Sequence, residues 1–540
     1  MSELVPITLP SWISGVDDVE FDIIKSLLNT WHRKYERNLL RSVYFDGQMP
    51  LKPTGNIPAE SMAKIKAVLD WPEKAVTALA ERSVFEGFVS PGDVQDPFAL
   101  AGVLDENRFD LELPQVITSA YKHSCAFITT ALGDVQAGEP EVVIMGREAM
   151  WSSALWDERR RVVSAALTVT ATDDQGRPTA VDVWLPFVVL RLSRSAGSVS
   201  VWRAERLPNP LGEVLVEPLT YDPQLTRPFG RSRISRAVMN ITDRGLITIV
   251  RGEIASDFYA APRMAALGAS EDAFKKGKWQ AAIDRWFAIT RDENGDLPQV
   301  QQFPQMTMQP LADQYRMIAT QFSGATGVPV SSLGIITDNP PSAEALYADD
   351  RRLVGTARRQ NRFLASSLKR VAQKTIRLRD GGVVTGEMRK IDVAWANPAF
   401  TSPTTAAAAL QQLSGVFPWL SESEVALEFA GFSHAEITRL LADKKRADAR
   451  AFAQALRPAA PQDSPASTPV APTPAVPAAS SGGDAAELKA KFDALGVAIR
   501  AGVDPESAAA QIGLAGITFT GATPVALRLP KDDASDLEAR

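Results

Sequence analysis

Gly327-Val328-Pro329-Val330-Ser331-Ser332-Leu333-Gly334-Ile335-Ile336-Thr337-Asp338-Asn339-Pro340-Pro341-Ser342-Ala343-Glu344-Ala345 is the stretch on which the reading of this chain turns. Before it, Leu311, Tyr315, Ile318 and Phe322 recur at steps of four, three and four, one face of a helix that begins near Pro310. Gly324 and Gly327-Val328-Pro329 stop that helix. After the loop, Ser342 suits an N-cap and Glu344 the electropositive first turn of a second helix. Its apolar stripe runs through Leu346, Leu353, Ala357, Leu364, Leu368, Val371 and Leu378 to about Arg379, where Asp380-Gly381-Gly382 ends it. The stretch therefore predicts helix, stiff loop and very long helix.

Working outward, a helix of roughly 40 Å is predicted from Arg231 to Phe258, at about 1.5 Å rise per residue, with Ile234, Val238, Ile241, Gly245 and Ile249 as its stripe. Pro262 closes it, and a small excursion up to Pro304 reads as a hairpin. Its strand is Trp286–Thr290, its turn Asp292-Glu293-Asn294-Gly295 and its return Val300–Phe303. Further upstream, helices are expected over 17–43, over 59–80 with a break at Trp71-Pro72, and over Leu100–Leu132, with 127–132 already turning extended. Between Val142 and Arg203 the apolar period becomes two, which predicts an antiparallel meander of Val142–Met145, Ala166–Ala171, Val181–Leu185, Val188–Leu192 and Val199–Arg203. Leu207–Pro228, with five prolines, reads as an extended connector.

Downstream, Ile391–Trp395 is extended, and helices follow over Thr404–Leu413, Ser421–Ala430 and His434–Leu456, the last with Ser433 and Glu436 as a capping box. Residues 457–483 are almost wholly Pro, Ala, Ser and Thr, a composition for a linker and not for a core. The fold class is α+β, mostly helical. At 540 residues the chain suits roughly two to four domains.

Composition excludes several functions. A net charge of −6 argues against a tight, sequence-independent DNA binder. One cysteine, Cys125, rules out an internal disulfide and cysteine-based metal clusters and fits a reducing compartment. Met1–Pro6 lacks the charge and apolar pattern of a signal peptide, and no apolar run nears the roughly 20 residues of a membrane span, so neither export nor membrane insertion is expected. Lys276-Gly277-Lys278-Trp279 fails as a phosphate loop, since Asp272 stands where the first glycine is needed and Trp279 where Ser or Thr is needed. The three histidines, His32, His123 and His434, are far apart. No cofactor, metal or catalytic residue is assigned.

Three features invite a chemical reading beside a plainer one. His123 and Cys125 could form a thiol–imidazole pair, against a buried small hydrophobe beside a histidine. Asp349 and Asp350 with Glu344 could hold Mg²⁺, against solvated first-turn carboxylates. The arginines and lysines from Arg351 to Arg379 could face phosphates, against a solvated face or one paired with a neighbouring subunit's acids.

Several motifs together resemble the portal proteins of tailed bacteriophages, in particular those from phages of Gram-positive and actinobacterial hosts. They are Tyr44-Phe45-Asp46-Gly47, Gly230-Arg231-Ser232, Gly327-Val328-Pro329, Leu333-Gly334 and Asn339-Pro340-Pro341-Ser342-Ala343-Glu344-Ala345. The resemblance implies a homo-oligomeric ring, typically of twelve subunits, at one capsid vertex, through which DNA is packaged and ejected. It implies a wing over 1–230, a stem helix over 231–258, a clip over 259–305 and a second stem helix over 306–329. A tunnel loop over 330–341, a long wing helix over 342–382 and a crown over 383–456 follow, then a linker over 457–483 and a tail of no assigned role over 484–540. Ile336, Thr337, Asp338, Asn339, Pro340 and Pro341 would face DNA without sequence preference. Trp286, Arg291, Asp292, Glu293, Asn294 and Gly295 would meet the terminase motor and later the head–tail adaptor. Ile234, Val238, Ile241, Leu311, Tyr315, Ile318 and Phe322 would form the stem. Major capsid and scaffolding proteins complete the implied partners, with assembly in the host cytoplasm and residence in the virion. The residues also admit another structural head or adaptor protein, or a metal-dependent nucleic-acid enzyme using Asp349 and Asp350.

Overall fold

The computed structural model describes residues 12–50, 67–90, 96–194, 201–260, 264–267, 299–302, 307–335, 343–399, 403–423 and 434–455, with single positions at 426–427, 430–432, 495, 507 and 509. Contacts divide the chain into residues 1–450 and 451–540. All the architecture below belongs to the first unit, save the end of its last helix.

Helix α1 (Asp18–Phe45) starts at a capping box, in which Glu20 N–H donates to Asp17 Oδ1 at 2.8 Å and Asp17 N–H to Glu20 Oε2 at 3.2 Å. Its apolar face, with Ile24, Leu27, Leu28 and Trp31, covers a five-stranded antiparallel meander. The strands are β4 (Ser152–Asp157), β5 (Val162–Thr172), β6 (Pro178–Trp184), β7 (Val188–Arg194) and β8 (Trp202–Pro208). The meander is as the period of two predicts, but its membership differs. Val142–Met145 belongs to another sheet, and β4 takes its place, hidden from sequence by buried serines: Ser153 Oγ donates to Leu27 O at 2.9 Å.

The second sheet orders β3 (Val142–Glu148), β2 (Cys125–Leu132) and β9 (Val216–Thr220). The expected helix from Leu100 is two helices, α3 (Leu100–Glu106) and α4 (Phe109–His123), broken at Arg108 (φ 50), and after Ser124 (φ 98) the chain is extended as β2, as expected for 127–132. The proline-rich connector contains β9, where Pro218 sits opposite Phe127; on an edge strand the missing N–H costs no ladder bond. Helix α2 (Trp71–Ala80) carries Pro72 in its first turn, so the expected break is a helix start. Strand β1 (Phe85–Val89) follows it.

Helix α5 (Arg236–Ala260) begins five residues later than expected. Arg231 and Arg233 spend their N–H groups on Tyr221 O and Tyr121 O, both at 2.9 Å, and Ser235 Oγ accepts from Val238 N at 3.3 Å as the helix opens. Strand β10 (Met264–Leu267) pairs antiparallel with β11 (Gln299–Gln302), so the predicted return strand meets 264–267; residues 286–290 lie outside the described residues. Then come α6 (Gln309–Thr326), α7 (Ala343–Asp380), α8 (Gly386–Lys390) and β12 (Asp392–Trp395), which pairs with β1. Helix α7 has 38 residues and is roughly 57 Å long. Helices α9 (Pro403–Val416) and α10 (His434–Ala455) end the described elements, and Pro418–Glu422 is a 3-10 turn near where a helix from Ser421 is expected. No described helix is long and apolar enough to cross a membrane.

Candidate functional site

Helices α5 and α6 pack against each other. Of the residues expected to form a stem, Ile234, Val238, Ile318 and Phe322 are buried in the main core, while Ile241, Leu311 and Tyr315 are half-buried. Trp71 of α2 lies against α6, 5.4 Å from the Tyr315 ring and 5.1 Å from the Phe322 ring. Into and along α5 the buried positions are Ile234, Val238, Thr242, Leu246 and Val250, so of the predicted line only Ile241 and Ile249 fall outside, half-buried. Threonine can take a core position because its hydroxyl donates to the carbonyl one turn back, Thr242 to Val238 O and Thr248 to Arg244 O, each at 2.9 Å. Gly245 is buried as well, because Leu69 and Trp71 occupy the space a side chain would need.

The helix pair is fixed at its base by two glycine turns. Gly230 has φ +70, and a Cβ there would lie 2.1 Å from Tyr221 O. Next to it, Arg231 Nε meets Asp222 at 2.5 Å, and Ser232 Oγ donates to Lys122 O at 2.5 Å. Arg233 is buried and bonds three separate elements: Ala75 O of α2, Tyr221 Oη at 3.2 Å, and Thr326 O at the end of α6 at 2.9 Å. A guanidinium on the last carbonyls of a helix satisfies orphan acceptors and opposes the negative end of the dipole. Gly327 (φ +76) then caps α6, its N–H on Ser323 O at 2.7 Å. Tyr44 closes the frame from α1 by donating to the Asp243 carboxylate of α5 at 2.9 Å.

Helix α7 lies along β9, the edge of the three-stranded sheet. Gln360 Nε2 donates to Thr220 O at 2.6 Å, Ser367 Oγ to Pro218 O at 2.7 Å, and Lys374 Nζ to Val214 O at 2.5 Å. The donors recur every seven residues. From 360 to 374 the helix rises about 21 Å, and from 220 to 214 a strand advances about 20 Å, so the two repeats stay in step. Lys374 also meets Glu217 at 2.7 Å, Arg370 reaches Glu217 at 3.4 Å, Arg377 pairs with Glu213, and Arg359 approaches Asp222 at 3.6 Å. These four bases of α7 are thus paired within the chain, while Arg351, Arg358 and Arg362 are exposed, as a solvated face expects.

The expected tunnel-loop residues Ile336, Thr337, Asp338, Asn339, Pro340 and Pro341 lie outside the described residues, as do Trp286, Arg291, Asp292, Glu293, Asn294 and Gly295. Asp350 is not simply solvated: it pairs with buried Arg82 at 2.9 Å. Among the described residues no group of His, Cys, Asp and Glu is arranged to hold a metal. Cys125 is buried, its thiol pushed up to about 11 by that burial, and its neighbour His123 is turned to Glu148, with Nε2 2.7 Å from Oε1.

Burial pushes His123 below its ordinary 6.5 despite the opposing Glu148. Burial alone would raise the Glu148 carboxyl, but its hydrogen bond from His123 and the nearby charges hold it below 4.5. The pairing we assign is a neutral ring donating from Nε2. As pH falls below about 6.5 the unfolded chain takes up the histidine proton first, so stability is complete above that pH and declines on acidification toward the depressed folded value. His32 shifts in the same direction. Melting temperature is therefore expected to fall between pH 7 and pH 5.5 or so, and less steeply in a His123→Gln variant.

The sequence matches the family described as phage portal protein, SPP1 Gp6-like, over residues 24–449. The chain belongs to that portal family. Among curated relatives, the portal protein of Mycobacterium phage L5 is 26% identical over 374 residues, 68% of this chain and 76% of the relative. That of Mycobacterium phage D29 is 25% identical over 403 residues, 73% of this chain and 82% of the relative. A solved structure described as "Neck of native GTA particle computed with C12 symmetry" aligns with 74% of this chain and 98% of its own, at 14% identity and a TM-score of 0.36. As a phage portal protein the chain forms the ring-shaped channel at one capsid vertex through which DNA is packaged and ejected. It is a component of the virion, and its family is a structural one. The glycine turns of this portal subunit and Tyr44 stand in sequence motifs, but the partners of Arg233, Tyr44 and the α7 clamp do not. Those partners lie 93, 199 and 140 residues away, and no local pattern announces such pairings.

Proposed function

We propose that α5 and α6 form the stem of the portal channel, that residues 259–305 form the clip, and that residues 330–341 form the tunnel loop facing DNA. The observation that carries this reading is the α5–α6 pair itself: two packed helices, an insertion between them whose ends are joined by β10 and β11, and then a short passage from Leu333-Gly334 to the start of α7. The wing comprises the N-terminal helices, the two sheets and α7, and residues 383–456 form the crown. Twelve copies close the ring. The clip docks the terminase and later the head–tail adaptor, and major capsid and scaffolding proteins meet the rim. Assembly takes place in the host cytoplasm. The subunit contributes no catalysis: Asp350, a carboxylate an alternative metal-dependent enzyme would need, is committed to Arg82.

DNA passes without being held. Each phosphate neutralised by a lysine or arginine releases counterions and deepens binding, so a gripping loop would stall the duplex. Thr337–Pro341 carries no base and one acid, Asp338. Deleting 337–341 is expected to leave rings intact by electron microscopy while reducing the DNA packaged or retained per particle. Loss of the ring itself, or full heads with normal DNA retention, would overturn the assignment of the loop.

A further inference from the structure

A second surface of the subunit stands outside the channel elements. Between α1, the end of α4, β4 and the turn before Gly230 lies a cavity of about 500 Å³, a volume of the small-ligand class and too small for a duplex. Arg33, Lys34, Arg37, Arg41, Arg227 and Arg231 line it, and no carboxylate does. Arg231 is paired with Asp222, but none of the other five has an ion pair among the described residues. Arg33, Arg37 and Arg41 recur every four residues along one face of α1, an arrangement in which like charges repel. Burial and the neighbouring Arg37 lower Arg41 to about 10, and burial with Arg37, Arg33 and Arg41 lowers Lys34. Deeper in, the buried atoms Ser152 Oγ and His123 Nδ1 have no hydrogen-bond partner among the described residues, and both residues line the cavity. Trp156 and Phe229, in edge contact at 5.7 Å, supply an apolar wall.

The opposite chemistry occurs on the same subunit. The turn from Gly133 to Glu141, between β2 and β3, is exposed, with the carboxylates Asp134, Glu139 and Glu141 and no base. Beside them Leu132 and Val135 stand 54% and 64% exposed. Strand β2 begins at Cys125 in the wall of the basic cavity and ends at Leu132 at the foot of this turn, about 24 Å away by strand rise, so a chain cannot fill its own cavity with its own turn.

We propose that in the assembled ring the acidic turn 133–141 of each subunit seats in the basic cavity of the next copy. A closed ring of identical subunits requires a heterologous contact, two different and complementary patches on each chain. The match is double: three carboxylates for five bases that have no ion pair among the described residues, although Arg41 Nη1 already donates to His123 O at 2.5 Å and to Asn38 Oδ1 at 3.3 Å, and two exposed aliphatic side chains for the aromatic wall. An inorganic anion would answer only the first. The inference rests on the ring reading above and adds to it the surfaces that close the ring.

Charge reversal tests it on the full-length chain, with ring content read by mass photometry and electron microscopy. R33E/R37E, which faces the turn with like charge, and E139R/E141R, which faces the cavity with like charge, are each expected to lower ring formation roughly 100-fold. Both lie at exposed positions, so melting temperatures should stay near that of the parent. Combining the four substitutions in one chain should restore rings. If either double variant forms rings at the parent's concentration, or if the combined chain stays dissociated while folded, the docking is wrong and the ring reading stands. If the parent chain makes no ring at all, the ring reading fails and the docking with it. Loss of rings in R33E/R37E alone would show that the cavity receives a different partner, which also overturns the proposal.

Discussion

Replacing Glu217 by alanine is expected to lower the stability of the larger unit by about 3–5 kcal/mol, read as a shift in its urea midpoint. Glu217 and Lys374 are 4% and 5% exposed, so water cannot take the place of the lost carboxylate around the ammonium. Arg370 loses the same partner but is better solvated and contributes less. The size of the effect comes from stranding a buried charge and not from a large net attraction in the intact pair. Replacing both partners, as in E217L/K374M, should therefore recover much of the loss, since apolar groups of similar volume carry no desolvation penalty. Equal destabilisation by the single and the double change would refute this account. The remaining cost of the double variant should reflect Val214 O, which Lys374 also serves.

Gly230→Ala is expected to cost about 3 kcal/mol or more. Left-handed backbone at φ +70 accounts for the first 1–2 kcal/mol or so. The remainder follows from position: the new Cβ would meet the Tyr221 carbonyl, which is backbone and cannot rotate aside. Relieving that contact pulls Arg231 N–H away from Tyr221 O and disturbs Arg233, whose three bonds converge from α2, Tyr221 and α6. Gly138→Ala is the control. It has a similar φ of +87 but nothing within 4 Å of the added carbon, so it should cost only the conformational part. A Gly230→Ala variant no less stable than Gly138→Ala would show that the frame around residues 230–233 yields easily.

What could be read from sequence, and what could not, divides by range. Gly327, the run Ile318–Phe322 and the stripe of α7 act within a few residues of themselves, and period and punctuation reveal them. Thr242 broke the pattern because a hydroxyl that bonds its own helix behaves as an apolar side chain would, and no hydropathy reading counts it so. Strand β9 reads as connector from sequence because five prolines in 207–228 speak against an inner strand, and only the fold shows that it is an edge. The bases of α7 looked surplus because their carboxylates, Glu213, Glu217 and Asp222, lie about 140 to 160 residues upstream in that same connector. The basic cavity on α1 escaped notice for the same reason. Arg33, Lys34, Arg37 and Arg41 share a wall with Trp156 of β4 and Phe229, which lie far downstream in the chain, so no local pattern shows that they line a cavity.

The seven-residue repeat of Gln360, Ser367 and Lys374 on β9 has a mechanical consequence. A pull along the axis of α7 strains all three side-chain bonds at once, because each bridges the same rod to the one continuous segment 214–220. Bonds loaded in shear divide the force and yield together, whereas a sideways pull at one end would open them in turn like a zip. Helix α7 is thus stiff against thrust along its length and compliant against lifting, a directional strut whose far end, Ala343, follows directly on the segment 336–342.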